Sequence, residues 1–317
     1  MPHQIVTLTL NPAIDKSTVV DQLVAEQKLR CESPRFDAGG GGINVSRGIQ
    51  KLGGSSLAVF TAGGASGALL GELVKAESID YQVIPTQNWT RENFTVTEKS
   101  TNAQYRFGMP SASLSQSEID ACLDALRAQT PAYVVGSGSL PPGVADDFYA
   151  QVAVVSKKIG ARFVLDTSGA PLQAACNEGV FLLKPNISEL CKLVGVANLE
   201  TDQVDDAARQ IIGRGGCEVV VVSLGPMGAI WVTKDECEHI PAPPVKKLST
   251  VGAGDSMVAG MTWGLAQNKS FGQMARMGVA CGSAATMNAG TQLFKPEDAT
   301  KLLGWLNQYA DKYRLLI

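Results

Sequence analysis

The sequence LSTVGAGDS (Leu248–Ser256) is the stretch that decides the fold and the chemistry of this chain. Two glycines, Gly252 and Gly254, precede the carboxylate of Asp255, and an apolar stretch with helical spacing follows from Met257. A turn of this kind leaves the first N–H groups of the helix free, and these groups bind anions together with the positive end of the helix dipole. A carboxylate beside an anion site suits phosphoryl transfer to an alcohol, in which a hydroxyl loses its proton as the phosphoryl group arrives. A simple helix cap formed by Asp255 explains the motif equally well when the motif is taken alone.

Composition restricts the class of protein. The chain has 317 residues, of which 45 % are apolar and 18 % charged, enough for one large α/β domain or two ordinary ones. A net charge of −3 without a dense basic run argues against nucleic acid as the main partner. We expect no membrane partner and a cytoplasmic location, because no apolar run is long enough for a membrane span and the start does not read as a signal peptide. Seven scattered cysteines predict reduced thiols, and two histidines argue against a His-based triad or a His-rich metal site.

Short β-branched runs alternate with stretches of helical spacing along most of the chain. The predicted strands are Ile5–Leu10, Tyr133–Val135, Arg162–Leu165, Val180–Leu183 and Glu218–Leu224. The predicted helices are Ser115–Ala128, Asp146–Lys158, Ile187–Val194 and Asp202–Arg214. Alternation of this kind predicts an α/β fold with a parallel sheet covered by helices on both faces, in which ligands gather at the carboxyl ends of the strands.

Two early segments show a different pattern. Ser17–Ser33 and Asn93–Phe107 alternate polar and apolar residues around turn-like centres, which predicts a small, partly exposed antiparallel sheet. A sheet that is open on one face needs a cover, either substrate or another subunit. We therefore expect one domain spanning residues 1–317, with lid segments inserted at about 15–36 and 88–109.

A second glycine cluster, DAGGGGINVSRG (Asp37–Gly48), runs into a predicted helix at Ile43–Leu52. Four consecutive glycines allow close backbone approach, and Asn44 offers a donor and an acceptor that suit sugar hydroxyls. A flexible loop is the alternative interpretation. Asp15 follows the first strand as either a ligand of two sugar hydroxyls or a turn residue, and Ser139 lies in a Pro-Gly-rich stretch as a candidate hydroxyl ligand.

Two further motifs and a group of lid cations each allow two interpretations. In KPNISE (Lys184–Glu189), Asn186 and Glu189 form either a weak oxygen site for Mg²⁺ with nucleotide phosphates or a helix capping box. SLGPMGA (Ser223–Ala229) is either a nucleotide-contacting turn or a simple hairpin. The cations of the lid segments are either solvated surface charge or a means of capturing a phosphorylated substrate. They are Lys28, Arg30, Arg91 and Arg106.

Taken together and in this order, these motifs resemble those of the ribokinase-like (PfkB) carbohydrate kinase family, and the resemblance extends over almost the whole chain. The glycine run at Gly39–Gly42 and the signature at Ser249–Ser256 are its most characteristic parts. The resemblance implies a Rossmann-like core with a β-sheet lid, and a homodimer built through the lids. Family members that act on fructose 1-phosphate or tagatose 6-phosphate usually carry a lysine within the glycine run, whereas this run is all glycine. The resemblance therefore implies ATP-dependent phosphorylation of fructose 6-phosphate at its 1-hydroxyl. The alternatives are a tagatose-6-phosphate or fructose-1-phosphate kinase, or a non-catalytic sugar- or nucleotide-binding regulator on the same fold.

The resemblance also implies residue roles. Asp255 becomes the general base, and the anion hole comprises Gly252, Ala253 and Gly254. The implied sugar ligands are Asp15, Gly40, Asn44 and Ser139. Arg91 becomes a ligand of the sugar phosphate, and dimerisation would carry Lys28 and Arg30 towards the partner's sugar site. The implied nucleotide contacts are Lys184, Asn186, Ser223, Gly225, Gly228, Val279 and Ser283, with Glu189 near Mg²⁺.

Family members often bind K⁺ through a loop beside the anion hole, and the matching positions are Ser249, Val251, Ala285, Asn288, Gly290 and Gln292. Gln292 stands where the family usually has a basic residue, which is a departure from the pattern.

Overall fold

A long, mostly parallel sheet forms the centre of the protein. The structure, a computed structural model, describes residues 3–288 and 292–314, with side chains as far as Ala310. The strands of the main sheet in this part of the chain are β1 (Ile5–Thr9), β4 (Leu57–Ala62), β5 (Asp80–Pro85), β8 (Tyr133–Ser137), β9 (Arg162–Asp166), β10 (Val180–Leu183), β11 (Cys217–Ser223), β12 (Ala229–Val232) and β13 (Cys237–Ile240). Those of a second, smaller sheet are β2 (Ala13–Val20), β3 (Arg35–Gly39), β6 (Arg91–Glu98) and β7 (Gln104–Phe107).

The order in the main sheet is β13-β12-β11-β10-β9-β8-β1-β4-β5. The strands from β5 to β11 pair in parallel, and β12 and β13 add an antiparallel edge. Since parallel strands all end at the same edge of a sheet, the segments that follow β1, β8, β9, β10 and β11 meet there. The predicted parallel α/β core is confirmed, and every predicted strand in it is present.

Helices cover both faces of this sheet. The helices in the described residues are α1 (Gly41–Lys51), α2 (Gly64–Ala76), α3 (Gln116–Arg127), α4 (Phe148–Lys158), α5 (Gly169–Glu178), α6 (Ile187–Val194), α7 (Val204–Gly213), α8 (Ala253–Ala266), α9 (Phe271–Thr286) and α10 (Pro296–Arg314). Helices α3 to α7 pack on one face around a core that includes Leu8, Leu126 and Val152. Helices α1, α8, α9 and α10 pack on the other face around Ile5, Val45 and Val258.

The smaller sheet departs from the prediction in two ways. Its order is β3-β2-β6-β7, and the central pair β2–β6 is parallel, so the sheet is mixed rather than antiparallel. Both β2 and β6 leave the same edge of the main sheet, after β1 and β5, and therefore run in the same direction. The predicted strand at Ser17–Ser33 ends at Val20, because residues 21–34 form a loop that pairs only through a Val20–Cys31 bridge.

The smaller sheet has both buried and exposed apolar side chains. Val20 and Val96 are buried within the chain. The large apolar side chains that the lid segment 88–109 leaves exposed are Trp89, Tyr105, Phe107 and Met109. An exposed apolar group of this size on a small sheet is typical of a surface that another molecule covers.

The structure also bears on the predicted class of protein. All seven cysteines are free thiols, as predicted. No helix of the described residues has both the length and the apolar character needed to cross a membrane. The same residues hold no group of three or more His, Cys, Asp or Glu side chains that could form a metal site by themselves. The expected cytoplasmic location stays a prediction.

Candidate active site

The predicted anion turn lies at the start of α8. Gly252 precedes the helix with a φ of 73°, a left-handed conformation that favours glycine. The Ser256 N–H donates to the Gly252 carbonyl at 2.9 Å, whereas the N–H groups of Gly254 and Asp255 find no hydrogen-bond partner in the described part of the chain. A Cβ atom placed on Gly254 would lie 3.7 Å from Lys184 Nζ. The turn therefore presents free N–H groups beside a buried ammonium group, as an anion site requires.

Asp255 has the surroundings of a general base. Its Oδ2 accepts a hydrogen bond from Asn44 Nδ2 at 2.9 Å, and its Oδ1 accepts one from Ser137 Oγ at 3.4 Å. Burial, and then the negative charge of Asp166, raise the pKa of Asp255 to about 6, against the opposing effects of Asn44, Lys184 and Ser137. A carboxylate with a pKa near the working pH both accepts and releases a proton easily.

Lys184 is the buried cation of this site. Its side chain is 8 % exposed, and Nζ lies 3.1 Å from Asp166 Oδ1. Burial lowers the pKa of Lys184, but the nearby Asp166, Glu189 and Asp255 carboxylates outweigh it and leave the pKa raised. The ammonium group is therefore charged at neutral pH, close to where phosphate would sit.

Sequence reasoning missed Asp166 and Ser137, although both lie in this site. Each is the last residue of a parallel strand, Asp166 of β9 and Ser137 of β8. A polar residue that ends an otherwise apolar strand was the signal that could have identified both, since such residues meet at the carboxyl edge of the sheet.

The glycine run is required by packing and is not a flexible loop, so that alternative interpretation is wrong. Gly40 has a φ of 116°, and a Cβ atom there would approach Thr9 Cγ2 to 2.7 Å. A Cβ atom on Gly41 would collide with Ser137 Oγ. Thr9 Oγ1 also accepts a hydrogen bond from the Ile43 N–H at 2.9 Å, which fixes the start of α1. The run thus lays the N-terminus of α1, with Asn44 in its first turns, directly against β1 and β8.

The predicted sugar ligands Asp15 and Arg91 lie together where the small sheet meets the core. Asp15 Oδ1 accepts a hydrogen bond from Asn93 Nδ2 at 2.9 Å. The Arg91 guanidinium donates to the carbonyl oxygens of Asn11 at 3.3 Å and Pro12 at 3.4 Å. Burial raises the pKa of Asp15, with Asn93 and Arg91 opposing it, and burial lowers the pKa of Arg91. This pair forms a partly desolvated polar end of the site.

Ser139 joins the same end through a residue that sequence reasoning missed. Asn11 Nδ2 donates to Ser139 Oγ at 3.0 Å, which links the loop after β1 to the loop after β8. Asn93, the partner of Asp15, was missed as well. Both asparagines are polar residues in or beside strands at the predicted sugar end, and their pairing across the chain has no signal in a single sequence.

Lys28 and Arg30 are not brought into the site of their own chain. Both side chains are exposed on the loop of residues 21–34. Neither makes a hydrogen bond or an ion pair with any residue that the structure describes. Their predicted role therefore depends on a neighbouring subunit.

The predicted nucleotide side is formed by the ends of β10 and β11. The Ser223 N–H donates to the Pro185 carbonyl at 2.9 Å and pairs this turn with Asn186. Gly225 and Gly228 lie in the hairpin turn that follows, and a Cβ atom on Gly228 would collide with the carbonyl oxygen of Ile240. Packing thus already accounts for that glycine.

The two remaining nucleotide candidates lie on α9. Val279 is 4 % exposed and packs in the core, which leaves its side chain little surface for a nucleotide. Ser283 is partly exposed near the end of the helix. Its neighbour Gly282 lies against the start of α8, where a Cβ atom would be 3.1 Å from the Ala253 carbonyl oxygen. Ser283 is therefore the better placed of the two.

The motif Asn186–Glu189 forms the capping box of α6. The Glu189 N–H donates to Asn186 Oδ1, and the Asn186 N–H donates to Glu189 Oε2, both at 2.9 Å. Capping is therefore confirmed, and it leaves Glu189 Oε1 without a capping bond. Glu189 is close enough to raise the pKa of Lys184. A carboxylate with one oxygen outside the capping box suits a Mg²⁺ ion that keeps most of its water ligands.

The loop before α8 lies against the end of α9, as the predicted K⁺ site requires. The N–H groups of Leu248 and Ser249 both donate to the Thr286 carbonyl, at 2.7 and 3.2 Å. Asn288 Nδ2 donates to the Ala284 carbonyl at 3.1 Å. Ser249, Val251, Ala285 and Asn288 are thereby brought to one place, where backbone carbonyls suit a hard cation. Gln292 is partly buried, and Gly290 lies outside the described residues.

Comparison with known proteins gives a consistent result. Residues 8–298 match the model of the pfkB family of carbohydrate kinases. The chain is 45 % identical over 307 residues to ATP-dependent 6-phosphofructokinase isozyme 2 of Escherichia coli (strain K12), covering 96 % of this chain and 99 % of that protein. A 1-phosphofructokinase of Xanthomonas campestris is more distant, at 35 % identity over 289 residues, covering 88 % of this chain and 90 % of the relative.

Solved structures of the E. coli phosphofructokinase-2 are similar over nearly the whole chain. One is described as a complex with potassium (TM-score 0.92, 44 % identity) and one as a complex with fructose 6-phosphate (TM-score 0.90, 43 % identity). Each covers 97 % of this chain and 100 % of its own. A third is described as a tetrameric inhibited form of the same protein, with a TM-score of 0.89 and 43 % identity over the same shares of the two chains.

Proposed function

Because this chain belongs to the pfkB family of carbohydrate kinases, we propose that it transfers a phosphoryl group from ATP to the 1-hydroxyl of fructose 6-phosphate. The observation that carries the proposal is the position of Asp255. Its carboxylate accepts a hydrogen bond from the predicted sugar ligand Asn44, follows free helix N–H groups at the start of α8, and is influenced by the charge of Lys184. Such a site combines a base with an anion hole, and both are needed when an alcohol attacks a phosphoryl group.

In the proposed mechanism, Asp255 accepts the proton of the 1-hydroxyl as that oxygen attacks the γ-phosphorus of ATP, and the bond between the γ-phosphorus and the bridging oxygen breaks to release ADP. Asn44 donates to Asp255 Oδ2 and Ser137 donates to Oδ1, and these two hydrogen bonds hold the carboxylate in place. The free N–H groups of Gly254 and Asp255 and the Lys184 ammonium stabilise the charge that develops on the transferred group. When bound, Mg²⁺ neutralises phosphate charge, and Glu189 would hold it through water.

The residues at the predicted sugar end select the substrate. Asp15, Asn44 and Ser139 offer acceptors and donors for sugar hydroxyls, and Arg91 offers a guanidinium fork for the 6-phosphate. Initial rates on a panel of free and phosphorylated ketohexoses test this assignment. We expect fructose 6-phosphate to give the highest kcat/KM, whereas a preference for fructose 1-phosphate or tagatose 6-phosphate, or no sugar-dependent formation of ADP, would contradict it.

The raised pKa of Asp255 leads to a pH prediction. A general base works only when ionised, so kcat/KM should be about half of its plateau value near pH 6, become constant about one pH unit higher, and fall about tenfold per pH unit well below pH 6. The measurement is a pH profile of kcat/KM for the sugar phosphate. Because a phosphate monoester also titrates near pH 6, the control is the residual activity of Asp255→Asn. If Asp255 causes the acidic limb, the limb disappears in that variant; an unchanged limb would assign it to the substrate instead.

A monovalent cation site is part of the proposal. Ser249, Val251, Ala285, Asn288 and Gln292, with Gly290, are its candidate ligands, and the E. coli relative has been solved as a potassium complex. A cation there would act through the neighbouring anion turn, since Val251 directly precedes Gly252.

We also propose that the active form is a homodimer closed through the lids. Trp89 and Phe107 are 64 % and 47 % exposed, and Lys28 and Arg30 have no partner among the described residues of their own chain. A two-fold contact would cover the exposed apolar group and carry these cations towards the partner's sugar site.

The dimer is tested by sedimentation and activity over one dilution series. Phe107 stacks on Phe94 at 6.3 Å between ring centres, so Phe107→Asp should disrupt the lid surface, give a monomer and lower activity. Val196→Asp alters an exposed apolar residue outside the lid and serves as the control. A fully active monomer, of either the unmodified chain or Phe107→Asp, would refute the proposal.

A further inference from the structure

Arg47 on α1 is a buried cation for which the proposed mechanism gives no role. Its side chain is 3 % exposed. Nε donates to Glu77 Oε1 at 2.7 Å, and Nη1 donates to the Ala38 carbonyl at 2.9 Å and to Asn44 Oδ1 at 3.1 Å. Nη2 lies 3.6 Å from Asp37 Oδ1. The guanidinium thus joins the lid strand β3 and the end of α2 to a residue that touches the base.

The contact with Asn44 determines how that amide faces Asp255. Asn44 accepts from Arg47 through Oδ1 and donates to Asp255 Oδ2 through Nδ2. In the reversed orientation the NH₂ group would face the donors of Arg47, and the carbonyl oxygen would face the Asp255 carboxylate. Both contacts would then be unfavourable, because a guanidinium has no acceptor and an ionised carboxylate has no donor. Arg47 and Asp255 therefore enforce one amide orientation from opposite ends.

We propose that Arg47 is a positioning residue for catalysis, which holds the Asn44 amide so that it donates to Asp255 and ties this arrangement to the lid strand through Ala38 and Asp37. The assignment of Asp255 as the base rests on the proposed function, whereas the contacts of Arg47 do not. A fixed partner matters because a displacement of about 1 Å in a catalytic group costs on the order of 100-fold in rate.

Several charged groups surround Arg47 and Asp255 and bear on the pH dependence of catalysis. Arg47 faces Glu77, Asp37 and the more distant Asp15, and Asp37 is also paired with Arg35 at 2.7 Å. Asp255 is influenced by Asp166 on β9 and by Lys184 after β10. None of these groups replaces the donor that Arg47 offers to Asn44 Oδ1.

Loss of that donor frees the Asn44 amide. When Asp255 is protonated, a reversed Asn44 can accept from its O–H and so stabilise the protonated base. The acidic limb of the pH–rate profile should then move to higher pH, which a loss of packing alone does not predict.

The test compares three variants in the full-length protein. Arg47→Met removes the guanidinium at similar length. Arg47→Met/Glu77→Gln also removes the carboxylate left without its partner and serves if the single variant fails to fold. Glu77→Gln alone is the matched control, because it weakens the other side of Arg47 and leaves the contact with Asn44 intact.

We expect both variants that lack Arg47 to lose about 10- to 100-fold in kcat, with KM for ATP unchanged and the acidic limb raised. Glu77→Gln should lower the melting temperature and leave kcat and the limb as they are. Equal losses of kcat in Glu77→Gln, or an unchanged kcat and limb without Arg47, would overturn the proposal.

A neutron crystal structure of the double variant, in which the hydrogen atoms of the Asn44 amide are visible, gives a readout that is independent of turnover. At a pH well below 6, where Asp255 is protonated, Asn44 Oδ1 should accept from the Asp255 O–H, and an Asn44 Nδ2 that still donates to Asp255 Oδ2 under these conditions would also overturn the proposal. Failure of the proposed function would appear differently, as inactivity of the unmodified chain toward every sugar phosphate, and this structure would still decide the role of Arg47.

Discussion

Asp255→Asn is expected to lower kcat by about 10²- to 10⁴-fold, because a positioned general base contributes a factor of that size. The amide is nearly the same shape as the carboxylate, and its oxygen can still accept the hydrogen bond from Asn44 Nδ2. The variant should therefore fold and bind ATP almost as tightly as the unmodified chain. Single-turnover rates together with ATP titration measure the two quantities separately.

The matched control for this variant is Ser256→Ala. Ser256 is the next residue of α8 and is fully buried, and its hydroxyl has no hydrogen-bond partner among the residues that the structure describes. Removing that hydroxyl should leave kcat unchanged, so any loss specific to Asp255→Asn arises from the carboxylate. A kcat close to the unmodified value in Asp255→Asn would show that Asp255 is not the base.

Arg91→Ala is expected to raise KM for fructose 6-phosphate by about 10- to 100-fold, since hydrogen bonds to charged groups contribute about 1.5–3 kcal/mol. The guanidinium lies beside Asp15, and its hydrogen bonds within the described residues are long ones to the carbonyls of Asn11 and Pro12, which leaves it available to a phosphate. KM for ATP should change little, because the arginine belongs to the sugar end. Initial rates over a grid of both substrates measure the two constants.

Arg106→Ala provides the comparison within the same sheet. Arg106 lies on β7, is exposed, and bonds to Gln104. Its removal should raise KM for fructose 6-phosphate much less than Arg91→Ala does. If Arg91→Ala raised both Michaelis constants equally, or if the unmodified chain used free fructose efficiently, selection of the phosphate by Arg91 would be excluded.

Much of the fold could be predicted because its signals are local. The strand Val180–Leu183 and the helix Ile187–Val194 were predicted with the bounds that the structure gives them. A continuous apolar run defines the strand, and a capping box marks the start of the helix. The turn before α8 was predictable as well, because glycines directly before an apolar helix mark the start of that helix, whereas its role as an anion site stays a prediction.

The remaining features depend on pairing between distant segments. The parallel pairing of β2 with β6 follows from where the two chains leave the main sheet, and alternation within either segment carries no information about direction. Asp166 was missed although its position at the end of an apolar strand was a usable signal. Arg47 was missed because its contact with Asn44 across one turn of helix has no separate signal, and a lone base in a sequence is more often surface charge.

The most direct test of the central claim is the identity of the product formed from ATP and fructose 6-phosphate. Phosphorus NMR of the reaction mixture distinguishes a phosphate on the 1-hydroxyl from inorganic phosphate and from the starting 6-phosphate. The proposed function predicts one new phosphate ester at the 1-position for every ADP formed, and loss of both in Asp255→Asn. Release of inorganic phosphate without a new sugar ester, or esterification at another hydroxyl, would contradict it.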